Sequence, residues 1–314
     1  MAAVKDATGT AIASFTYDPL SRRTQLALAN GSSTSYQYDA GNRLLSLTSN
    51  LAPLTASYTY DKVGNRLTMV DAAGTHTYSY DRLYQLTSAD YPTGAAVADT
   101  AFAYDKLGNR TAVNATSYTA NPLNQYTQVG SALITNDANG NLTGDGTNTY
   151  TYDTENRLLS ATTASGTATY TYDPLGRRLT KTVGGVTTRF LYDGDQVIAE
   201  TDATGTTTAT YVYGAGIDEP LRMVRGSTTS YYHADGLGSI IGLTDATGTI
   251  VERYRYDVYG QGQITDTAGT VRSTSALGNR FLFTSRELDQ ETGLYYYRAR
   301  YYNPTIGRFL QRDP

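Results

Sequence analysis

The chain has 314 residues, a formal net charge of −4, mean hydropathy −0.41, 29 Tyr, 30 Gly, no Trp and no Cys. An acidic balance argues against a nucleic-acid partner, which needs a basic stripe to displace counterions, and zero cysteine excludes thiolate metal sites and cysteine nucleophiles. No run nears the roughly 18 apolar residues of a spanning helix, so no membrane insertion is expected; the opening Met1-Ala2-Ala3-Val4-Lys5 does not resemble a signal peptide.

Tyr and Thr favour strands because branched or ring-bearing side chains suit a pleated, half-buried surface. Gly, Asn and Asp favour tight turns. A chain rich in both is expected to be all-β. Large aliphatics are sparse, so the expected sheet is thin, polar on both faces, and wrapped around water or a guest rather than packed on a second layer.

In chain order, Tyr-Asp pairs stand at Tyr17-Asp18, Tyr38-Asp39, Tyr60-Asp61, Tyr80-Asp81, Tyr104-Asp105, Tyr152-Asp153, Tyr172-Asp173, Tyr192-Asp193 and Tyr256-Asp257. Their spacings are 21, 22, 20, 24, 48, 20, 20 and 64 residues. Asn121-Pro122-Leu123-Asn124-Gln125 and Asp137-Ala138-Asn139-Gly140-Asn141 divide the gap of 48 into three steps of 16, while Tyr213-Gly214 and Tyr232-His233 are expected to break up the 64. Such a period marks a repeat architecture.

Tyr58-Thr59-Tyr60-Asp61-Lys62-Val63-Gly64-Asn65-Arg66-Leu67 shows the unit plainly. Tyr-x-Tyr alternates with period 2 and puts both rings on one face of a strand. Asp at the first turn position bonds the backbone two residues on, and Gly supplies φ > 0. A second turn, Asp-Ala-Thr-Gly-Thr, recurs at Asp6, Asp202 and Asp245. Two turns per unit give a continuous antiparallel meander of about 30 strands, at roughly 10 residues each. Open sheets seldom exceed about 10 strands, so the meander is expected to curl into a spiral β-shell or barrel-like wall. Each Tyr and Asp of these anchors is therefore a ladder or turn residue; the competing role is a Tyr-lined glycan surface.

These units resemble the YD repeats of RHS proteins, teneurins and the C subunits of insecticidal Tc toxins. Tyr232-His233-Ala234-Asp235-Gly236-Leu237-Gly238-Ser239 is similar to the family's His-x-Asp-x-Leu-Gly-Ser element. Glu291-Thr292-Gly293-Leu294-Tyr295-Tyr296-Tyr297-Arg298-Ala299-Arg300-Tyr301-Tyr302-Asn303-Pro304 and Gly307-Arg308-Phe309-Leu310 match the RHS-associated core almost residue for residue. The resemblance divides the chain into a YD-repeat array, 1–230, and a core, 231–314. It implies a non-enzymatic β-shell around a variable C-terminal toxin payload, in a secreted or surface-displayed bacterial protein used in virulence or competition. It also implies self-cleavage just after the core at an Asp-Pro-x-Gly-Leu site. Arg312-Asp313-Pro314 matches the start of that site, and Arg312 and Asp313 are the candidate remnant, expected to be inert because a carboxyl–carboxylate pair is needed. Lys5-Asp6 falls in mid-repeat, so the chain is expected to be an excised piece of a longer protein or a short natural variant.

Other constellations have structural readings. Asp137 to Asn141 followed by Asp145 faintly suggests a calcium loop but lacks the closing Glu, and in register it is a repeat turn. His233 with Asp235 is half a metal or acid–base site; a structural turn His is expected. Arg298, Arg300, Arg308 and Arg312 lie among Glu287, Asp289, Glu291 and Asp313, so internal pairs or a solvated face are expected. Asn114 and Asn141 sit in formal glycosylation sequons, discounted for a bacterial-looking chain. No cofactor or metal is expected. The rival functions are a cell-surface adhesin or glycan-binding module, a self-cleaving protease, and self-assembly into homo-oligomers through exposed edge strands.

Overall fold

Alternating Tyr, Thr and Ser segments become short strands. The computed structural model describes residues 2–93 and 97–313 and holds 33 strands, two single-turn 3₁₀ segments and, among the described residues, no α-helix. Strands follow chain order as the expected antiparallel meander, but in three sheets of 14, 15 and 4 strands rather than one, with breaks after Leu133 and Arg272.

Asp18 shows the turn chemistry. Its N–H donates to the Arg22 carbonyl and the Ser21 N–H donates back to the Asp18 carbonyl, both at 2.9 Å. Its Oδ1 accepts the N–H groups of Leu20 (3.0 Å) and Arg22 (2.9 Å). The fourth residue takes a left-handed φ, +101° at Gly64 and +66° at Asn42, which is why Gly or Asn recurs there. This is a three-residue hairpin loop with a bulge, and the pairing register slips at the Tyr of the pair, as between Thr59 and Tyr60, though not at Tyr256. The turns at Asp6, Asp202 and Asp245 close with the same bonds.

Two anchors depart from expectation. Asp193 stays in its strand and pairs with Gln196 across a two-residue Gly194-Asp195 turn, because Gly194 supplies the positive φ two positions early. Tyr232-His233 is no turn anchor. Both lie inside strand Thr228–Ala234, and the turn begins at Asp235.

The chain divides into two compact units, Met1–Asp99 with Tyr211–Ser285 and Thr100–Thr210 with Arg286–Pro314. In the first, Ile12, Phe15 and Leu28 pack with Leu221 and Tyr231, and Leu47, Ala56 and Tyr58 form a smaller cluster. In the second, a separate four-stranded sheet forms from Glu287–Asp289, Leu294–Tyr297, Arg300–Asn303 and Arg308–Phe309. Its Leu294, Tyr296, Tyr301 and Ile306 bury Tyr150, Leu158 and Tyr170 of the repeats. The expectation of a sheet with no second layer therefore fails in this unit. The ring-bearing face of the repeats is apolar, and covering such side chains contributes roughly 1.5–3 kcal/mol each.

Candidate functional site

The repeat motif joins each unit to the next through three contacts. The first is the hydroxyl of the Tyr in at least six of the nine pairs. Tyr60, Tyr80, Tyr152, Tyr172, Tyr192 and Tyr256 donate to the carbonyls of Leu44, Arg66, Leu142, Leu158, Arg178 and Ile240, at 2.6–2.9 Å. The acceptor always lies five residues after the first residue of the preceding turn. Phe could fill the volume but could not make this bond.

The second contact is an arginine clamp four residues after the turn Asp. Arg22, Arg43, Arg157 and Arg177 place Nε 2.6–2.7 Å from Asp18, Asp39, Asp153 and Asp173. The same guanidiniums lie 5.0–5.3 Å above the rings of Tyr38, Tyr60, Tyr172 and Tyr192 in the following unit. Arg43 also donates to the Asp61 carbonyl at 2.7 Å. At Asp18 and Asp39 the backbone N–H of Arg22 or Arg43, together with its side chain, outweighs burial and holds the carboxyl below its usual range. Asn65, Asn109 and Asn141 replace the clamp with an amide bond to Asp61, Asp105 and Asp137. Asp137 to Asn141 is therefore a repeat turn. At Asp81, Gln85 holds this place and gives its backbone N–H to the carboxylate (2.9 Å). Tyr17 stacks on Phe15 with ring centroids 6.5 Å apart, and Asp257 closes its turn onto the N–H groups of Tyr259 and Gln261.

The third contact is an inward arginine one residue further on. Arg23 lies over Phe15 and Tyr36, Arg66 over Tyr58 and Tyr78, Arg110 over Phe102, and Arg178 over Tyr170 and Phe190. The rings belong to the first Tyr position of each Tyr-x-Tyr. Position four thus faces the turn and position five faces the core.

Arg178 fastens the C-terminal sheet to the repeats. It is fully buried, with Nη1 2.6 Å from Asp289 and Nη2 2.9 Å from Glu287, and its guanidinium lies 4.3 Å from the Tyr296 ring centroid. Lys181 bridges Asp289 (2.9 Å) and Glu291 (2.7 Å) beside it. Burial disfavours the Arg178 charge, but Asp289, Tyr301 and Glu287 together outweigh it and hold the guanidinium protonated. The Arg178 N–H also donates to the Tyr296 hydroxyl at 3.0 Å. Glu287 and Asp289 thus pair with a repeat arginine more than 100 residues away. Among those, Arg298 donates to the Asp195 carbonyl and Arg308 to the Asn124 carbonyl.

The candidate cleavage remnants are not brought together with a second carboxylate. Asp313 pairs with Arg300 at 2.7 Å with its side chain 82% exposed, and Arg312 lies against Gly140, where a Cβ would collide with its guanidinium. Pro314 lies outside the described residues. His233 is a core strand residue rather than a turn His: buried, with Nε2 2.9 Å from Thr244 Oγ1. Among the described residues no His, Cys, Asp or Glu cluster could hold a metal.

The teneurin YD-shell model matches residues 65–314, and the RHS repeat model matches 22–51. The tRNA3(Ser)-specific nuclease WapA of Bacillus spizizenii is 37% identical over 100% of this chain and 14% of its own length. The tRNA nuclease WapA of Bacillus subtilis is 38% identical over 75% of this chain and 10% of its own length. Toxin subunit YenC1 of Yersinia entomophaga is 26% identical over 96% of this chain and 39% of its own length. The chain therefore spans only 8–14% of the first three curated relatives it matches. The Photorhabdus luminescens Tc holotoxin pore superposes with a TM-score of 0.71 at 21% identity, over 99% of this chain and 19% of that one, and shares the fold. With hydroxyl ladder, clamped turns and core sheet all in place, the chain belongs to the teneurin YD-shell family.

Proposed function

We propose that this chain is a wall-building scaffold segment of an RHS-type polymorphic toxin, secreted or displayed at a bacterial surface, that encloses or presents a C-terminal payload and performs no chemistry itself. The observation that carries this is the buried Arg178–Asp289–Glu287 set, which locks the C-terminal sheet onto the repeats. Residues 231–314 act as the RHS-associated core, and Arg312 and Asp313 are an inert remnant of its cleavage site. The relatives named as toxins support a toxin context.

The test fuses a small passenger domain after Pro314 and follows its digestion by trypsin. Enclosure slows cutting relative to the free passenger. Cutting at the free rate, with the wall still folded, overturns enclosure and favours the adhesin or glycan-binding reading.

Self-association is a second reading with its own observation. Turn tips bear apolar residues in solvent, with Leu20, Val63 and Leu83 at 73%, 61% and 69% exposure. Light scattering that shows a monomer at high concentration removes it.

A further inference from the structure

Three of the four inward arginines are met by an acceptor in their own unit. Arg23 reaches Glu219 at 2.5 Å, Arg110 donates to the Ile306 carbonyl at 3.2 Å, and Arg178 holds Asp289 and Glu287. Arg66 is held between the rings of Tyr58 (5.6 Å) and Tyr78 (5.0 Å) in the same way, yet among the described residues it forms no ion pair. It faces a cavity of about 100 Å³ inside the first unit, whose wall also includes His76, Tyr78, Tyr91, Arg253 and Arg255. Arg253 and Arg255 alternate along strand Ile250–Tyr256 with the buried Glu252 and Tyr254, and they too form no ion pair among the described residues.

Three carboxylates line the same cavity, and each is engaged by its own loop. Asp235 accepts the N–H groups of Leu237 (2.8 Å) and Ser239 (2.9 Å), and Asp257 those of Tyr259 (2.8 Å) and Gln261 (2.9 Å). Asp71 accepts the Ala73 N–H at 2.7 Å and lies 3.2 Å from His76 Nε2. The facing arginines act on these carboxylates only through space, Arg66 on Asp235 and Arg255 on Asp71, without a direct ion pair. His76 is 94% buried, and its Nδ1 has no hydrogen-bond partner, a costly state for a polar atom. The Tyr91 ring stands edge-on to the imidazole at 5.6 Å and closes one side.

We propose that this cavity binds a small anionic ligand, a carboxylate or phosphate carried on a ring-sized body. The oxyanion takes the place that Glu219 or Asp289 fills for the equivalent arginines, because guanidinium forks match carboxylate and phosphate geometry. Tyr78 and Tyr91 supply flat faces for the body of the ligand. Arg66 and Tyr78 belong to the repeat contacts, but the C-terminal sheet that carries the scaffold reading takes no part in this site, so either can fail without the other.

The experiment is calorimetric titration of the intact chain with glucuronate, inorganic phosphate and glucose, combined with nitrogen-15 spectra of its two histidines. Glucuronate should bind saturably, shift the His76 ring signals and leave glucose without effect. The double variant Arg253→Gln/Arg255→Gln should weaken binding roughly tenfold or more, and Arg66→Lys, which keeps charge and stem, should weaken it less than Arg66→Gln. Binding of phosphate in place of glucuronate, with the same dependence on the variants, supports the site and assigns it to phosphate esters. No binding of either anion, equal binding of glucose, or affinity unchanged in the folded double variant overturns it.

Discussion

Arg66 and Arg178 occupy the same place in the repeat, five residues after a turn aspartate and between two inward rings, but their surroundings diverge. In the second unit the C-terminal sheet brings Asp289 and Glu287 against Arg178, and the guanidinium becomes a fastening. In the first unit Arg66 meets a cavity. Four repeats therefore supply a ring-held cation on the inner face, and the facing element determines whether it holds structure together or stays available to an anion. The same divergence separates the turns. The arginine clamps hold the half-buried Asp18 and Asp39 below the usual carboxyl range, whereas Asp235 has no clamp and burial pushes it above that range despite the bonds from Ser239 and Leu237.

The largest contrast is in stability. Asp289→Ala strands a fully buried guanidinium and should cost about 3–5 kcal/mol in urea unfolding. Arg66→Gln has no buried partner to strand and should cost about 1 kcal/mol or less. Equal losses at the two positions would erase the distinction between fastening and available cation.

Acid should separate the units next. Both histidines, His76 and His233, lie in the first unit. Burial pushes His233 down to about 4, against about 6.5 for an unfolded chain. The unfolded state therefore binds this proton more readily. The stabilisation is complete above pH 6.5 and is lost as pH falls toward 4, by at most about 3 kcal/mol. Amide exchange should show the first unit opening before the second across that window, and His233→Gln should flatten the dependence. Simultaneous opening of both units would count against it.

A smaller effect tests what the units share. Tyr172→Phe in the second unit and Tyr256→Phe in the first each remove one ladder hydroxyl, with losses of about 1 kcal/mol expected at both. A neutral result in only one unit would mean that the ladder is not a common device.

Much of this was legible in the residues. Spacing of the Tyr-Asp pairs located the hairpins, and the Asp-x-x-Gly pattern located the left-handed turn residue, because both are local chemistry. Asp193 escaped because a Gly directly after Asp permits a tighter turn, and Tyr232-His233 misled because a pair of that shape also suits a strand interior. The split between clamp and inward arginine was written in adjacent positions, four and five, and period-2 alternation was the signal that could have revealed it. Partners of Arg178 were not legible. Glu287 and Asp289 lie 109 and 111 residues away, and only the docking of the C-terminal sheet brings them to it. The cavity was hidden for the same reason, since His76 and Arg255 share no sequence signal.

The account rests most directly on the motif residues joining one repeat to the next. A double-mutant cycle between Arg157 and Tyr172, which belong to successive units, measures that join in isolation. Arg157→Ala and Tyr172→Leu, singly and together, should show a coupling of about 0.5–1 kcal/mol from the stacked guanidinium. Strict additivity of the two losses would contradict it and reduce the Tyr-Asp motif to turns that happen to recur.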